Sequence, residues 1–356
     1  GQNNVQGASD AGLIPMMFPD YRRVDNPDAR AGFEALWGRP LDPNPGLTVV
    51  EIMHGALAGD IRGMLMMGEN PFLSDPNINK VRKALSSLEF LAVQDIFLTE
   101  TAEFADVILP ATSALEKTGT FTNTDRRVQI GRRALDPPGE ARLDWQILCE
   151  IGTRMGYPMQ YASAEEIFEE FAGLTDSYRT LNYGNLGLTG KLWPCPDPDT
   201  SDGLQVLFDD TFPSGRGKFV PAEVLPPDEL PDSDYPMVLT TGRMLEHWHT
   251  GAISRRATVL DHIEPEAVAT LHPRELRRLD VSPGGIIRVA TRRGAIELAA
   301  RADRDVPEGM IFIPFCFAEA AANLLTNPQL DPWGKIPEFK FCAAKVENAE
   351  RSATEK

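Results

Sequence analysis

The chain has 356 residues, 42% hydrophobic and 24% charged, an ordinary globular balance that excludes a disordered tail or a disulfide-stapled miniature. Lys plus Arg number 35 against 52 Asp plus Glu. The resulting charge of −17 excludes the basic face that nonspecific nucleic-acid binding or docking on anionic lipid requires. At roughly 150 residues per domain, the length suggests about two domains. The cysteines Cys149, Cys195, Cys316 and Cys342 are scattered with no CxxC pair. No zinc or iron–sulfur site is therefore expected from this chain's own spacing, and a reducing compartment is favoured. The most apolar stretch, Met310 to Ala318, holds Pro314 and is about half a membrane span. The polar opening GQNNVQG shows no signal-peptide pattern and reads as the start of a fragment or processed product.

The first 45 residues are rich in Gly, Asn, Asp and Pro. Gly63 to Met67 is an apolar run closed by Gly68-Glu69-Asn70-Pro71, which predicts a buried strand. Asp75 as N-cap and Pro76 at the first helical position predict a helix carrying Val81, Leu85 and Leu88. Phe90 to Val93 predicts a second strand ending near Gln94-Asp95, and Ala105 to Pro110 a third. This rhythm predicts a parallel sheet with helices on its faces. Leu143, Ile147, Ile151 and Met155 predict a helix ending at Gly156. Ser163 and Glu166 form a capping box for a helix stopping at Gly173. Residues 182–233, with many Pro, Gly and Asp, predict a long wrapping connection. A β-rich, barrel-like texture then begins: a strand at 236–241, a helix from His272-Pro273 to Leu279, a hairpin turning at Arg292-Arg293-Gly294, and a buried strand at 310–314. The expected division is 1–181, a linker at 182–233, a barrel at 234–348 and a polar tail at 349–356.

Gly68, Glu69 and Asn70 follow a strand of an open parallel sheet, where ligands bind, and Asp95 ends the next strand 27 residues after Gly68. The simpler reading is a tight turn and a surface carboxylate. Asp144 opens a helix, either as N-cap or as a carboxylate that accepts from guanine N1–H and N2–H. In Thr241 to Gly251, an HxH pair lacks a third metal ligand, whereas Arg243, His247 and Trp248 suit an anionic aromatic ligand or, equally, an aromatic corner of the barrel. Asn323 lies beyond an apolar strand, so its amide caps a helix or meets a ligand. Lys340 lies between Phe339 and Phe341. The pairs Arg126-Arg127 and Arg132-Arg133 are either surface cations or pyrophosphate holders.

Five stretches, MGENP, QDIFLTETAEFADVILPATSALEKTGTFTNTDRRVQ, DWQILCEIGTRMGYPM, YPMVLTTGRMLEHWHTG and NPQLDPWGKIPEFKFCAAKVE, resemble the molybdopterin oxidoreductases of the dimethyl sulfoxide reductase family. The likeness is to formate dehydrogenase alpha subunits, above all the soluble, cytoplasmic, NAD-linked type. It implies a Rossmann-like half-domain and a six-stranded double-psi β-barrel holding bis-molybdopterin guanine dinucleotide around Mo or W. It also implies formate as substrate, flavin and iron–sulfur electron-transfer subunits as partners, and 4Fe-4S clusters in an N-terminal remainder. The metal-ligating Cys or selenocysteine, the catalytic His and the Arg would lie there too, leaving this fragment inactive alone, with Gln2 its residue nearest the substrate. The cofactor contacts implied are Gly68, Glu69, Asn70, Gln94, Asp95, Thr99, Asp144, Arg243, Met244, His247, Trp248, Phe315, Asn323, Phe339 and Lys340. Asn70 replaces the Asp of the family's GEDP, and Phe315 and Phe339 stand where Tyr is frequent. A nitrate or other oxyanion reductase, a noncatalytic scaffold and a plain purine-nucleotide module are the alternatives.

Overall fold

The computed structural model describes residues 3–349, so Gln2 and the tail beyond Ala349 lie outside the described residues. The chain divides into two compact units: residues 1–48 with 109–222, and residues 49–108 with 223–356. The division therefore differs from the linear one expected. The sheet segment 49–108 belongs with the barrel rather than with residues 109–181.

In the second unit, Gly63–Met67 and Phe90–Asp95 pair in parallel, and Val107–Pro110 completes a three-stranded sheet. The helices Val49–Ala58 and Ile78–Ser87 bury Met53, Ala56, Val81, Ala84 and Leu85 against Met66, Leu91 and Val93. Only Met66 of the first strand is buried, while Leu65 and Met67 stay about two-fifths exposed. The expected buried strand is thus an edge strand covered on one face, since alternate side chains point to opposite faces.

The helix N-terminus also differs from expectation. A short helix, Pro71–Ser74, starts at the earlier Asn70-Pro71 signal, with Asp75 at its C-cap. The longer helix begins at Ile78 behind Asn77, at φ +55°. Two neighbouring N-cap–Pro signals compete here, and the first takes the turn.

The rest of the unit is a closed six-stranded barrel of the double-psi type. Its strand order is Val268–Leu271, Gly294–Ala302, Ile286–Thr291, Cys342–Asn348, Met237–Gly242 and Met310–Pro314. Val268–Leu271 runs parallel to Gly294–Ala302, and Met310–Pro314 parallel to Met237–Gly242. Leu239, Leu271, Ile287, Val289, Ile311 and Ile313 fill the interior. The expected helix at Pro273–Leu279 is present, with His272 Nδ1 accepting from the Arg274 amide at 3.1 Å.

In the first unit, Gly119–Thr122, Arg127–Gly131 and Lys191–Leu192 form a second small sheet. The helix Ala164–Leu174 has the expected Ser163 cap, but Glu166 reaches back to the amide of Ala162, one residue early. Leu186, Leu192 and Cys195 are buried here, so the front of the expected linker is core. Arg126 donates to the Leu204 and Gln205 carbonyls, and Arg127 to the Gly190 carbonyl; both hold their own chain together.

Candidate functional site

Fourteen of the fifteen expected contacts lie in the second unit. They fall on two loop systems, the ends of the sheet strands and the mouth of the barrel. At the sheet, Gly68 turns at φ +61° with open space where a side chain would stand, and its amide donates to the Gln94 carbonyl at 2.9 Å. A left-handed turn without a Cβ leaves backbone bare to a ligand. Glu69 is exposed and accepts from the Ser74 hydroxyl at 2.9 Å. Asp95 accepts from the amides of Ile96 and Phe97, and burial pushes its pKa up.

Asn70 is buried and spent within the chain. Its Nδ2 donates to Glu100 at 2.8 Å, and its Oδ1 accepts from the Thr101 hydroxyl at 2.7 Å. Thr99 is likewise buried, with its hydroxyl accepting from the Ala102 amide at 3.4 Å. Asn323 is 3% exposed; it donates to the carbonyls of Leu73 at 2.7 Å and Ser74 at 3.2 Å, and accepts from Thr326 at 3.0 Å. Its amide ties a barrel loop to the short helix after Asn70. These bonds are what the cap reading expects, because the last carbonyls of a helix need donors.

The barrel mouth has the opposite character. Arg243 is exposed, and Lys340 donates to the Thr241 carbonyl at 2.7 Å. Among the described residues, no carboxylate lies within ion-pair distance of either, although most arginines here are paired. The Lys340 ammonium stands 5.5 Å from the Phe315 ring, and the Arg243 guanidinium 5.8 Å from the Trp248 ring. Burial and the Arg243 charge pull the pKa of Lys340 down. His247 is buried; its Nε2 meets the Glu264 carbonyl at 2.8 Å, while Nδ1 has no hydrogen-bond partner. Met244 packs on the Cys316 sulfur. Phe339 contributes its carbonyl to the Thr241 hydroxyl at 2.7 Å.

His249 was not among the expected contacts, yet its ring sits between Trp248 and Phe315 and touches Arg243. The HxH spacing was visible in sequence, but it reads as a failed metal pair.

Asp144 belongs to the first unit. It is the first residue of the helix Asp144–Arg154, whose N-cap is Leu143, so it is not the cap. Its carboxylate pairs with Lys117, and both line a cavity of about 540 Å³ with Thr120, Trp145 and Tyr178.

An uncompensated pair of cations over ring faces, beside a bare glycine turn, has the chemistry of a site for a phosphate-bearing heteroaromatic. The fold joins a three-stranded sheet segment to a closed double-psi barrel. Residues 3–154 match the molybdopterin oxidoreductase family, and residues 237–343 match the molydopterin dinucleotide binding domain. The chain therefore belongs to the molybdopterin oxidoreductases. It is 46% identical to the F420-dependent formate dehydrogenase subunit alpha of Methanocaldococcus jannaschii, over 98% of this chain and 52% of that one. It is 38% identical to formate dehydrogenase H of Escherichia coli, over 98% and 49%, and 36% identical to the assimilatory nitrate reductase catalytic subunit of Bacillus subtilis, over 97% and 51%. The chain spans about half the length of these relatives. The acetylene hydratase of Pelobacter acetylenicus shares the fold, with a TM-score of 0.66 at 18% identity, over 90% of this chain and 50% of that one.

Proposed function

We propose that the chain is the C-terminal portion of a formate dehydrogenase alpha subunit, and that it grips bis-molybdopterin guanine dinucleotide. The observation that carries this is the Arg243–Lys340 pair, which among the described residues has no carboxylate within ion-pair distance in a −17 chain. These residues fit the group. Arg243 offers a planar fork of donors to a pyrophosphate, and Lys340 adds a point charge. Trp248 and Phe315 offer faces to a pterin, Gly68 offers backbone, and the orphaned Nδ1 of His247 awaits a polar partner. Asp144, on the wall of its cavity, is the carboxylate assigned to guanine. Bound there with Mo or W, the cofactor supplies the two-electron chemistry that takes formate to carbon dioxide. This chain's share is to bind and orient it. The metal-ligating residue and the 4Fe-4S clusters are assigned to the remainder of the subunit.

NAD as final acceptor rests on resemblance alone, whereas the methanogen relative is named for F420. The acceptor is assigned to the electron-transfer partner subunits, and supplying NAD and F420 in parallel to the complete complex identifies it. The experiment for the activity is formate-dependent reduction of a viologen dye by the full-length subunit with its partners. Nitrate-dependent oxidation of reduced viologen, with no formate activity, would replace this reading by the oxyanion-reductase one that the Bacillus relative favours.

A further inference from the structure

We propose that His249 is a positioning residue for Arg243, accepting a hydrogen bond from the guanidinium through a neutral imidazole and so aiming it at a phosphate. The inference rests on the reading of Arg243 as a phosphate-binding cation. Three observations carry it. First, His249 sits at φ +49°, in the left-handed region, which a non-glycine residue occupies at a cost of order 1 kcal/mol or more and which concentrates at functional sites. Second, Nε2 lies 3.1 Å from Arg243 Nη2. A guanidinium only donates, so the ring nitrogen facing it must be the acceptor and carry no proton. Third, the ring lies 4.7 Å from Trp248 and 6.0 Å from Phe315, and Trp248 also bears the guanidinium. Imidazole, indole and guanidinium thus fix one another, which pre-pays the side-chain entropy that a free arginine loses on gripping an anion.

Arg243 and Glu69 are charged groups that act on the His249 ring. Burial and then Arg243 hold its pKa below the usual histidine value, with Glu69 opposing, so the ring stays neutral at pH 7. Protonation below that value would remove the acceptor and set a second positive charge against the guanidinium.

The test is the guanine content of the purified full-length subunit after equilibration from pH 8 to pH 5. Wild type is expected to hold its guanine at pH 7 and to lose it as the pH falls toward 5. His249→Ala should retain about tenfold less at pH 7, as little as Arg243→Ala, with the double variant no worse. His249→Asn, which tolerates the left-handed backbone and offers an acceptor that does not titrate, should retain most of the guanine and lose the pH step. Wild type without a pH step, wild-type guanine in His249→Ala, or additive losses in the double variant would each overturn the inference. Full guanine in Arg243→Ala would sink the underlying reading instead.

Discussion

At Asp75 burial and charge are at odds. Its side chain is 5% exposed, and Oδ2 has no hydrogen-bond partner. Burial, reinforced by the charge of Glu69 and opposed by the Ser74 hydroxyl, pushes its pKa up to about 7. The unfolded chain gives up this proton near pH 4, so the native state is unpenalised below that. Stability is lost progressively as pH rises toward 7, by at most about 4 kcal/mol. Asp75→Asn is therefore expected to raise Tm at pH 8 and leave it unchanged at pH 4. Equal melting of both proteins at pH 8 would refute the assignment. The cations follow a different rule. Replacing Arg243 or Lys340 by Ala should leave stability within about 1 kcal/mol of wild type, since neither holds an ion pair among the described residues, while bound guanine falls roughly tenfold. Replacing Asn323 by Ala should do the reverse, lowering stability by about 1–3 kcal/mol through the orphaned carbonyls of Leu73 and Ser74. Thermal melts read beside guanine content separate the two classes.

At the scale of elements, the loop from Thr241 to Gly251 is held by what lies beneath it. Gly251 turns at φ +75°, and a Cβ there would stand 2.5 Å from the Cys316 carbonyl and 2.6 Å from Arg255 Cγ. Gly251→Ala should cost about 2 kcal/mol and loosen the loop, visible as faster amide exchange at Trp248, whose own amide donates to the Ser254 hydroxyl at 2.7 Å. Exchange unchanged from wild type would contradict this. The barrel hairpin was legible because period-two alternation and a polar turn are local signals, and Ile286–Thr291 and Gly294–Ala302 appear where expected. Glu229, at the end of the expected linker, clasps both arginines of its turn. The helices Pro27–Trp37 and Val49–Ala58 were missed in sequence. The first hides in a Gly- and Asp-rich stretch, although Asn26 caps it and Pro27 opens it.

At the scale of the whole molecule, two compact units built from interleaved segments carry the two family matches. Among the described residues, no helix is long and apolar enough to cross a membrane, and no cluster of three His, Cys, Asp or Glu is arranged to hold a metal ion. The chain expressed by itself is expected not to oxidise formate in a viologen assay, because the metal-ligating residue is assigned to the half its relatives carry beyond it. Turnover by the isolated chain would refute that assignment.

Sequence by itself determined the local elements, the acidic balance and the family-bearing motifs, since caps, turns and periodicities act over a few residues. Which polar side chains are spent and which face outward was decided only by the tertiary structure. Asn323 finds its carbonyl partners about 250 residues away, and Asn70 meets Thr101 across 31 residues. Arg243 is left with an imidazole rather than a carboxylate. Hydrogen bonds and ion pairs depend on distance in space, and only the folding of loops from separate strands onto one barrel mouth sets those distances.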